Sequence, residues 1–299
     1  MTPVAGDFAR ALPANAEHCE HAGLLLTRCT NPSVLSEAAP KTQLIRRIIA
    51  ACARSSELYR AAFAQRERML RSRQHFAACR ALDLAGALAI GLGYPVALGQ
   101  AVSLHHLYGT PLIPGSSLKG VLRAYVESLP DAAFRSLFAA VDGADGIDNA
   151  QCRHLVVDIL FGDVDGAGFV DVLDAWVDPR NVERCASNGA PSPPARGVNV
   201  AALHADVITP HHTAYMTGNA DAAPADWDLP TPVPFVSAAG RFHFALIWQG
   251  GDAAFDRAVF AQAQDWFVDA LCGAAGRAGT GVGAKTASGY GYFVRPGEN

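Results

Sequence analysis

The 299-residue sequence is 50% hydrophobic with a formal net charge of −4, enough apolar content for one large domain or two small ones. No run approaches the roughly 18 uncharged apolar residues of a membrane-spanning helix, and the N-terminus lacks a basic segment followed by an apolar core, so neither a span nor a secretion signal is expected. Seven scattered cysteines without a CxxC pair argue against a disulfide framework or a cysteine-ligated zinc, and fit a reduced, cytoplasmic setting.

The first 40 residues are broken by Pro3, Pro13, Pro32 and Pro40 and are expected to wrap the surface. From Thr42 to Gln74, Leu44, Ile45, Ile48, Ile49 and Cys52, then Leu58, Tyr59, Ala62 and Phe63, recur at helical spacing and predict one or two amphipathic helices. Between Lys41 and Arg73 nine basic residues face only Glu57 and Glu67, a local charge of +7 that leaves −11 on the rest. Such a run is either a solvated helix face or a basic stripe for a phosphate backbone or an acidic partner subunit. Residues 1–80 are read as an extension plus basic helical segment packed on a core of residues 81–299, together one structural unit.

A strand-like region from Leu82 to Leu107 is interrupted by Gly91, Gly93, Pro95 and Gly99. "PLIPGSSLKGVLRAYVE", Pro111 to Glu127, then reads as a turn opening a helix with Leu118, Val121, Leu122 and Tyr125 on one face. Asp131–Ala140 and Gln151–Leu160 predict short helices; Phe169–Val177 and Val198–Thr209 predict strands. Asn188–Gly197 and Pro224–Pro234 read as Pro-rich excursions, Phe235–Trp248 as one half-buried strand, and Ala253–Cys272 as an amphipathic helix. Helices and strands mixed without regular βα alternation predict the α+β class.

Lys119 stands out. Placed in the helix's first turn, three residues after Ser116, it occupies the position where a capping box carries Glu or Gln and where the helix dipole favours an anion. Either this is chance on a solvated surface or the site holds an anion on backbone N–H groups and Lys119, with Arg123 four residues on able to reach the same charge.

The C-terminal "GTGVGAKTASGYGYF", Gly279 to Phe293, fits no common nucleotide-binding template. Ala284 rather than Gly precedes Lys285, no helix of useful length can follow, and no βαβ unit is present, which excludes a Walker A or Rossmann reading. What remains is a flexible backbone loop with Lys285 in it, able to approach a phosphate chain closely. Tyr290 and Tyr292 read better as a buried pair on the last strand than as base-stacking groups. His105-His106 and His211-His212 could supply the general base or acid of a metal-independent ribonuclease. They lack the spacing of a metal site, and no GxSxG elbow supports a serine hydrolase. "EHCEH", Glu17 to His21, carries ligand-type residues in a Pro-broken segment and is not expected to bind metal; Asp163 and Asp165 in "FGDVDGAG" read as turn residues. No cofactor is expected.

Together, "IPGSSLKGVLR" and "GTGVGAKTASGYGYF" resemble the two signatures of the RAMP superfamily of CRISPR–Cas proteins. "ILFGDVDGAGFVDVLDAWVDP", "ADVITPHHTAYMTG" and "PTPVPFVSAAGRFHFAL", in that order, are similar to one branch of it, the sixth Cmr subunit of type III-B effector complexes. The resemblance implies a modified ferredoxin-like (RRM-like) core carrying loop or hairpin insertions, and a non-catalytic subunit that contacts crRNA near its 3′ end, beside target RNA and other Cmr subunits. It assigns Gly115, Ser116, Ser117, Lys119 and Gly120 to the first signature and Gly281, Gly283, Lys285, Gly289 and Gly291 to the second. The candidate RNA-binding set is Gly115, Ser116, Ser117, Lys119, Gly120, Arg123, Gly281, Gly283, Lys285 and Thr286. Tyr215 is followed by Met216 where the branch carries a second aromatic. The alternative is an endoribonuclease of the same superfamily using one of the four paired histidines.

Overall fold

The computed structural model describes residues 19–29, 38–54, 56–73, 76–96, 98–139, 146–183, 202–216, 218, 223–274 and 276–297. The excursion expected at Asn188–Gly197 lies outside them. Among them no helix is long and apolar enough to cross a membrane.

After a short helix α1 (Ala22–Thr27), the basic segment forms two helices, α2 (Ala38–Arg54) and α3 (Ser56–Arg71). A five-stranded antiparallel sheet follows, built from β1 (Ala77–Leu84), β2 (Leu112–Ile113), β3 (Val170–Val177), β6 (Arg241–Trp248) and β7 (Phe293–Val294), in the spatial order β2-β3-β6-β1-β7. Residue 80, the expected boundary between extension and core, falls inside β1. Helix α4 (Gly115–Glu127) connects the β1 region to β3, and α8 (Ala254–Cys272) connects β6 to β7. The segment Asp131–Phe138 winds as a 3₁₀ helix, α5 (Asn149–Phe161) carries a full capping box from Asp148 and Gln151, and α6 (Pro179–Glu183) and α7 (Thr213–Met216) are short.

The sheet is sandwiched. On β6, Phe244 meets Phe267 of α8 edge-on at 5.7 Å and Trp248 stacks on Phe260 at 5.7 Å. The alternate residues meet α3 on the other face: His243 against Phe63 at 4.7 Å, and Ala245 and Ile247 with Leu70. Tyr59, one turn before Phe63, stacks on Trp176 of β3 at 5.6 Å and donates its hydroxyl to the Val177 carbonyl at 2.7 Å. Burial raises the Tyr59 phenol well above its ordinary value. Residues 59, 63, 66 and 70 thus form one stripe at helical spacing, and the basic segment is a packed layer rather than a wholly solvated face.

The expected single strand Phe235–Trp248 is two strands. It breaks at Gly240, whose φ of +99° is a glycine conformation and whose missing Cβ leaves room for Asn181, 2.4 Å from the ideal Cβ position. The first part, β5 (Val233–Ala238), pairs along its length with β4 (Leu203–Ile208) in a separate hairpin, and α2 packs against the base of this arm. The second part, β6, is central and covered on both faces, so alternation there separates two buried faces, not a buried from a solvated one. Likewise, of the expected strand region Leu82–Leu107 only Leu82–Leu84 continues the regular strand β1, which begins earlier, at Ala77; beyond it the chain makes isolated bridges, Leu88 with Ala238 and Ala89 with Ala284.

Candidate nucleic-acid interface

Helix α4 begins two residues earlier than the serine-capped reading. Pro114 is the N-cap with no side-chain cap, Gly115 is the first helical residue, and Ser116 and Ser117 stand exposed within the first turn. Lys119 therefore lies in the second turn, half-buried. Gly115 is required by packing: a Cβ there would sit 2.0 Å from the Val172 carbonyl oxygen. Its N–H donates to Asp174 Oδ1 at 2.7 Å. Asp174 reaches it because the β3–β6 register shifts between Leu173 and Trp176, a bulge that re-aims the side chain. The helix has no acidic residue in its own first turn; a strand residue supplies the anion. Gly120 is exposed with nothing within 4 Å of its Cβ position. Arg123 Nε donates to Glu127 Oε1 at 2.7 Å, and its guanidinium lies 5.9 Å from the Phe161 ring. For Lys119 and Arg123 to share an anion, Arg123 must leave Glu127, an exposed i,i+4 pair worth about 0.3–0.5 kcal/mol.

The glycine-rich loop is pinned by its backbone. Ala284 N–H donates to the Ala89 carbonyl, Gly291 N–H to Ala87 and Val282 N–H to Gly291, all at 2.7–2.8 Å. The close approaches explain the glycines: ideal Cβ atoms at Gly283 and Gly291 would lie 2.5 Å from the Ala89 oxygen and 1.9 Å from the Val282 oxygen, and both residues have positive φ. At Gly281 a Cβ would meet the Thr286 methyl at 2.8 Å. Lys285 itself adopts the left-handed conformation, φ +60°, and starts the single 3₁₀ turn Thr286–Ser288, which ends at left-handed Gly289. A non-glycine residue held there costs about 1 kcal/mol or more, so the fold holds a lysine in the turn against a conformational cost. Tyr290 hydrogen-bonds through its hydroxyl to Asp206 Oδ2 at 2.9 Å, tying the loop to the β4–β5 arm; burial and this carboxylate push its phenol up to about 12.

The two signatures occupy different parts of the molecule. The start of α4 lies over β3, whereas the loop adjoins β1 and β7; β6 and β1 separate β3 from β7, so those strands are about 14 Å apart. No hydrogen bond or ion pair among the described residues links Lys119 to Lys285.

The histidines divide. His105 is packed against Tyr108 at 4.5 Å and Trp176 at 4.8 Å, and its Nδ1 accepts from the Leu107 N–H; burial lowers its pKa. His106 and His211 are exposed. His212 Nδ1 pairs with Asp228 Oδ2 at 2.6 Å, and this bond, with a second from the Ala225 N–H, holds the carboxyl below its ordinary range. His21 of "EHCEH" caps α1 by accepting the Leu24 N–H, and Glu20 pairs with Arg54. Asp163 Oδ1 accepts from the Asp165 and Gly166 N–H groups, a turn contact. The sheet face turned toward α3 is closed to bases, since Arg66 lies over Trp176 at 5.2 Å and donates to the Asp174 carbonyl.

Where α3 crosses the sheet, Asp178 is nearly buried and held by Arg180, Nε donating to Oδ1 at 3.0 Å. Burial alone would raise the Asp178 carboxyl, but its partners hold it well below the ordinary range. Arg180 accounts for this, because His243 Nε2, at 3.6 Å, makes no hydrogen bond. A cavity of about 530 Å³ beside this pair, lined by Arg60, Phe63 and His243, lies apart from both signatures.

The family model of the RAMP superfamily matches residues 92–294, a span containing both signatures. The chain belongs to the RAMP superfamily. Within that superfamily it is 26% identical over 229 residues to the CRISPR system Cmr subunit Cmr6 of Pyrococcus furiosus, covering 69% of this chain and 64% of that protein, so it spans less than two thirds of the relative's length. In structure this RAMP chain is similar to one in a type III-B Cmr-beta complex bound to cognate target RNA, with a TM-score of 0.54 and 20% identity over 86% of this chain and 71% of that one. It also matches crystalline Cmr6 from Pyrococcus furiosus, at a TM-score of 0.40 and 22% identity over 73% of this chain and 97% of that one. The expected resemblance to the RAMP superfamily, and within it to a Cmr subunit, is borne out, and the mixed α/β, antiparallel-sheet architecture agrees with it.

Sequence reasoning missed Asp174 and the Tyr290–Asp206 contact. An acid within a strand pattern rich in apolar residues was the available signal for Asp174; nothing local pointed to the second.

Proposed function

We propose that this RAMP chain is a non-catalytic, RNA-binding subunit of a type III-B CRISPR effector in the cytoplasm. It holds crRNA backbone near its 3′ end and assembles with other Cmr subunits around crRNA and target RNA. Its core is a modified ferredoxin-like fold: β1, α4, β3, β6, α8 and β7 follow a β-α-β-β-α-β order, and the strands lie side by side as β3-β6-β1-β7.

The observation that carries the reading is Lys285, held left-handed in a turn flanked by Gly283 and Gly291, neither of which leaves room for a Cβ. Lys285, Thr286 and the exposed α4 residues Ser116, Ser117 and Gly120, with Lys119 and Arg123, offer charge and close backbone approach without base-edge contacts. Phosphates are held, and sequence is left to base pairing. With α3 over the sheet, stacking of bases on that face is not part of the mechanism. Co-purification tests the reading: a guide-length RNA and the other subunits should accompany the chain, and a chain purified with neither contradicts it.

A second reading rests on His212, whose ring is oriented by Asp228 as a general base would be. It predicts that the isolated chain cuts repeat RNA in EDTA, and that His212→Ala abolishes the cutting. The first reading predicts intact RNA.

A further inference from the structure

The cavity where α3 crosses β6, about 530 Å³, is of the size that holds a small-molecule ligand and far larger than a bound water needs. Three elements wall it: Arg60, Phe63 and Glu67 recur at helical spacing on α3, Arg180 stands near the start of α6, and His243 comes from β6. Its floor holds polar atoms short of partners. His243 Nε2 is buried and makes no hydrogen bond. Asp178 is 3% exposed, and its Oδ2 stands 3.6 Å from that nitrogen, too far for a hydrogen bond between them. A buried polar atom left unpaired is destabilising, and here it lines a space open to a ligand. A carboxylate oxygen and a ring nitrogen side by side at this spacing suit a vicinal diol, one hydroxyl to each. A hydroxyl both donates and accepts, so either tautomer of the imidazole is served.

The lining also carries cations. Arg180 gives its Nε and Nη2 donors to Asp178, and among the described residues nothing accepts from its Nη1, on a side chain that is 70% exposed. Arg60 is exposed on the α3 wall. Glu67, the other acid of the lining, is paired with Arg71 at 3.8 Å. With both acids matched, a phosphate entering beside Arg60 and Arg180 meets guanidinium donors of the kind that bind phosphate oxygens. Phe63 is 6% exposed and packs edge-on with His243, so its ring is not available to stack a base. The cavity thus offers contacts for a sugar diol and a phosphate, and none that reads a base.

We propose that this cavity binds the ribose and phosphate of a ribonucleotide, the 2′,3′-diol on Asp178 and His243 and the phosphate toward Arg60 and Arg180, with the base left outside. RNA presents a free 2′,3′-diol only at its 3′ terminus, so the ligand is a free 5′-mononucleotide or the last nucleotide of a strand. The site shares no residue with the two RAMP signatures and stands or falls separately from Lys119 and Lys285. Calorimetric titration of the full chain with AMP, CMP, GMP and UMP tests it, with 2′,3′-dideoxyadenosine monophosphate as control. The four ribonucleotides should bind within about threefold of one another, and the dideoxy compound about tenfold or more weakly. His243→Phe keeps a ring beside Phe63 but removes the nitrogen, and should shrink the preference for AMP over the dideoxy compound. Lys119→Ala/Lys285→Ala should bind AMP as wild type does; loss of AMP binding there would place the nucleotide at the signatures and overturn the proposal. In that same variant, displacement of AMP by a short RNA ending in a 3′-hydroxyl, but not by one ending in a 3′-phosphate, supports the proposal with the RNA terminus as ligand. Displacement by neither supports it with the free nucleotide as ligand, and equal displacement by both overturns it. A chain that binds none of the four nucleotides, or binds the dideoxy compound as tightly as AMP, also overturns it.

Discussion

Asp174 on β3 accepts the backbone N–H of Gly115 at 2.7 Å, placing a carboxylate of the sheet at the start of the helix that carries the first RAMP signature. The contact accounts for a helix that has no acidic residue of its own in the first turn and yet has Lys119 in the second. It also means that an external phosphate must share the helix start with an internal anion. Asp174→Ala should therefore cost about 1 kcal/mol of stability, read as a lower urea midpoint. The same variant should bind single-stranded RNA several-fold tighter; unchanged binding would remove the helix start from the RNA interface.

Two glycines five residues apart in α4 should respond oppositely to alanine. Gly115→Ala drives a methyl to 2.0 Å from the Val172 oxygen and should cost several kcal/mol, enough to lower the yield of folded protein. Gly120→Ala meets nothing within 4 Å and should stabilise the helix by about 0.5–1 kcal/mol. If backbone phosphate lies against this turn, Gly120→Ala will weaken RNA binding while the chain becomes more stable. Thermal unfolding and filter binding on the same samples separate the effects.

Lys285 offers a similar separation. Lys285→Gly relieves the left-handed conformation and should raise stability by about 1 kcal/mol, whereas Lys285→Ala keeps the strain. Both variants lose the charge, so both should lose RNA affinity to a similar extent. A strong difference in affinity between them would mean that loop geometry, not the ammonium, is what RNA senses.

Asp178 predicts a pH dependence. Its folded pKa is depressed, so its contribution is present above the ordinary aspartate value near 4 and is lost as pH falls through the lower folded value. Wild type should exceed Asp178→Asn in stability at pH 6–7, and the gap should narrow as pH falls below about 4. A gap that widened on acidification would reverse the assigned pairing with Arg180.

Much of this fold could be read from local pattern. The two basic helices, α4, α5, α8 and β3 are amphipathic or bounded by turn residues, and they form where the spacing places them. Phe235–Trp248 could not be read so, because its break depends on Asn181 filling the space beside Gly240, and its burial depends on α3 arriving from far upstream. In the candidate interface, Lys119 and Lys285 were legible as cations in segments where the backbone is already exposed or electropositive. Asp174 was not, since a β-bulge is a property of paired strands and leaves no periodic mark. Tyr290 was legible as an aromatic, but its partner Asp206 lies 84 residues away and belongs to another sheet.

The central claim is that Lys119 and Lys285, set on separate elements of the RAMP core, hold one RNA backbone. Filter binding of a crRNA-length single strand to wild type and to Lys119→Ala/Lys285→Ala, across a salt series, tests it most directly. The account predicts about tenfold or greater loss of affinity at low salt, with the slope of log K against log salt shallower by about 1.4, as two fewer phosphate contacts require. A double variant with wild-type affinity and slope would contradict it.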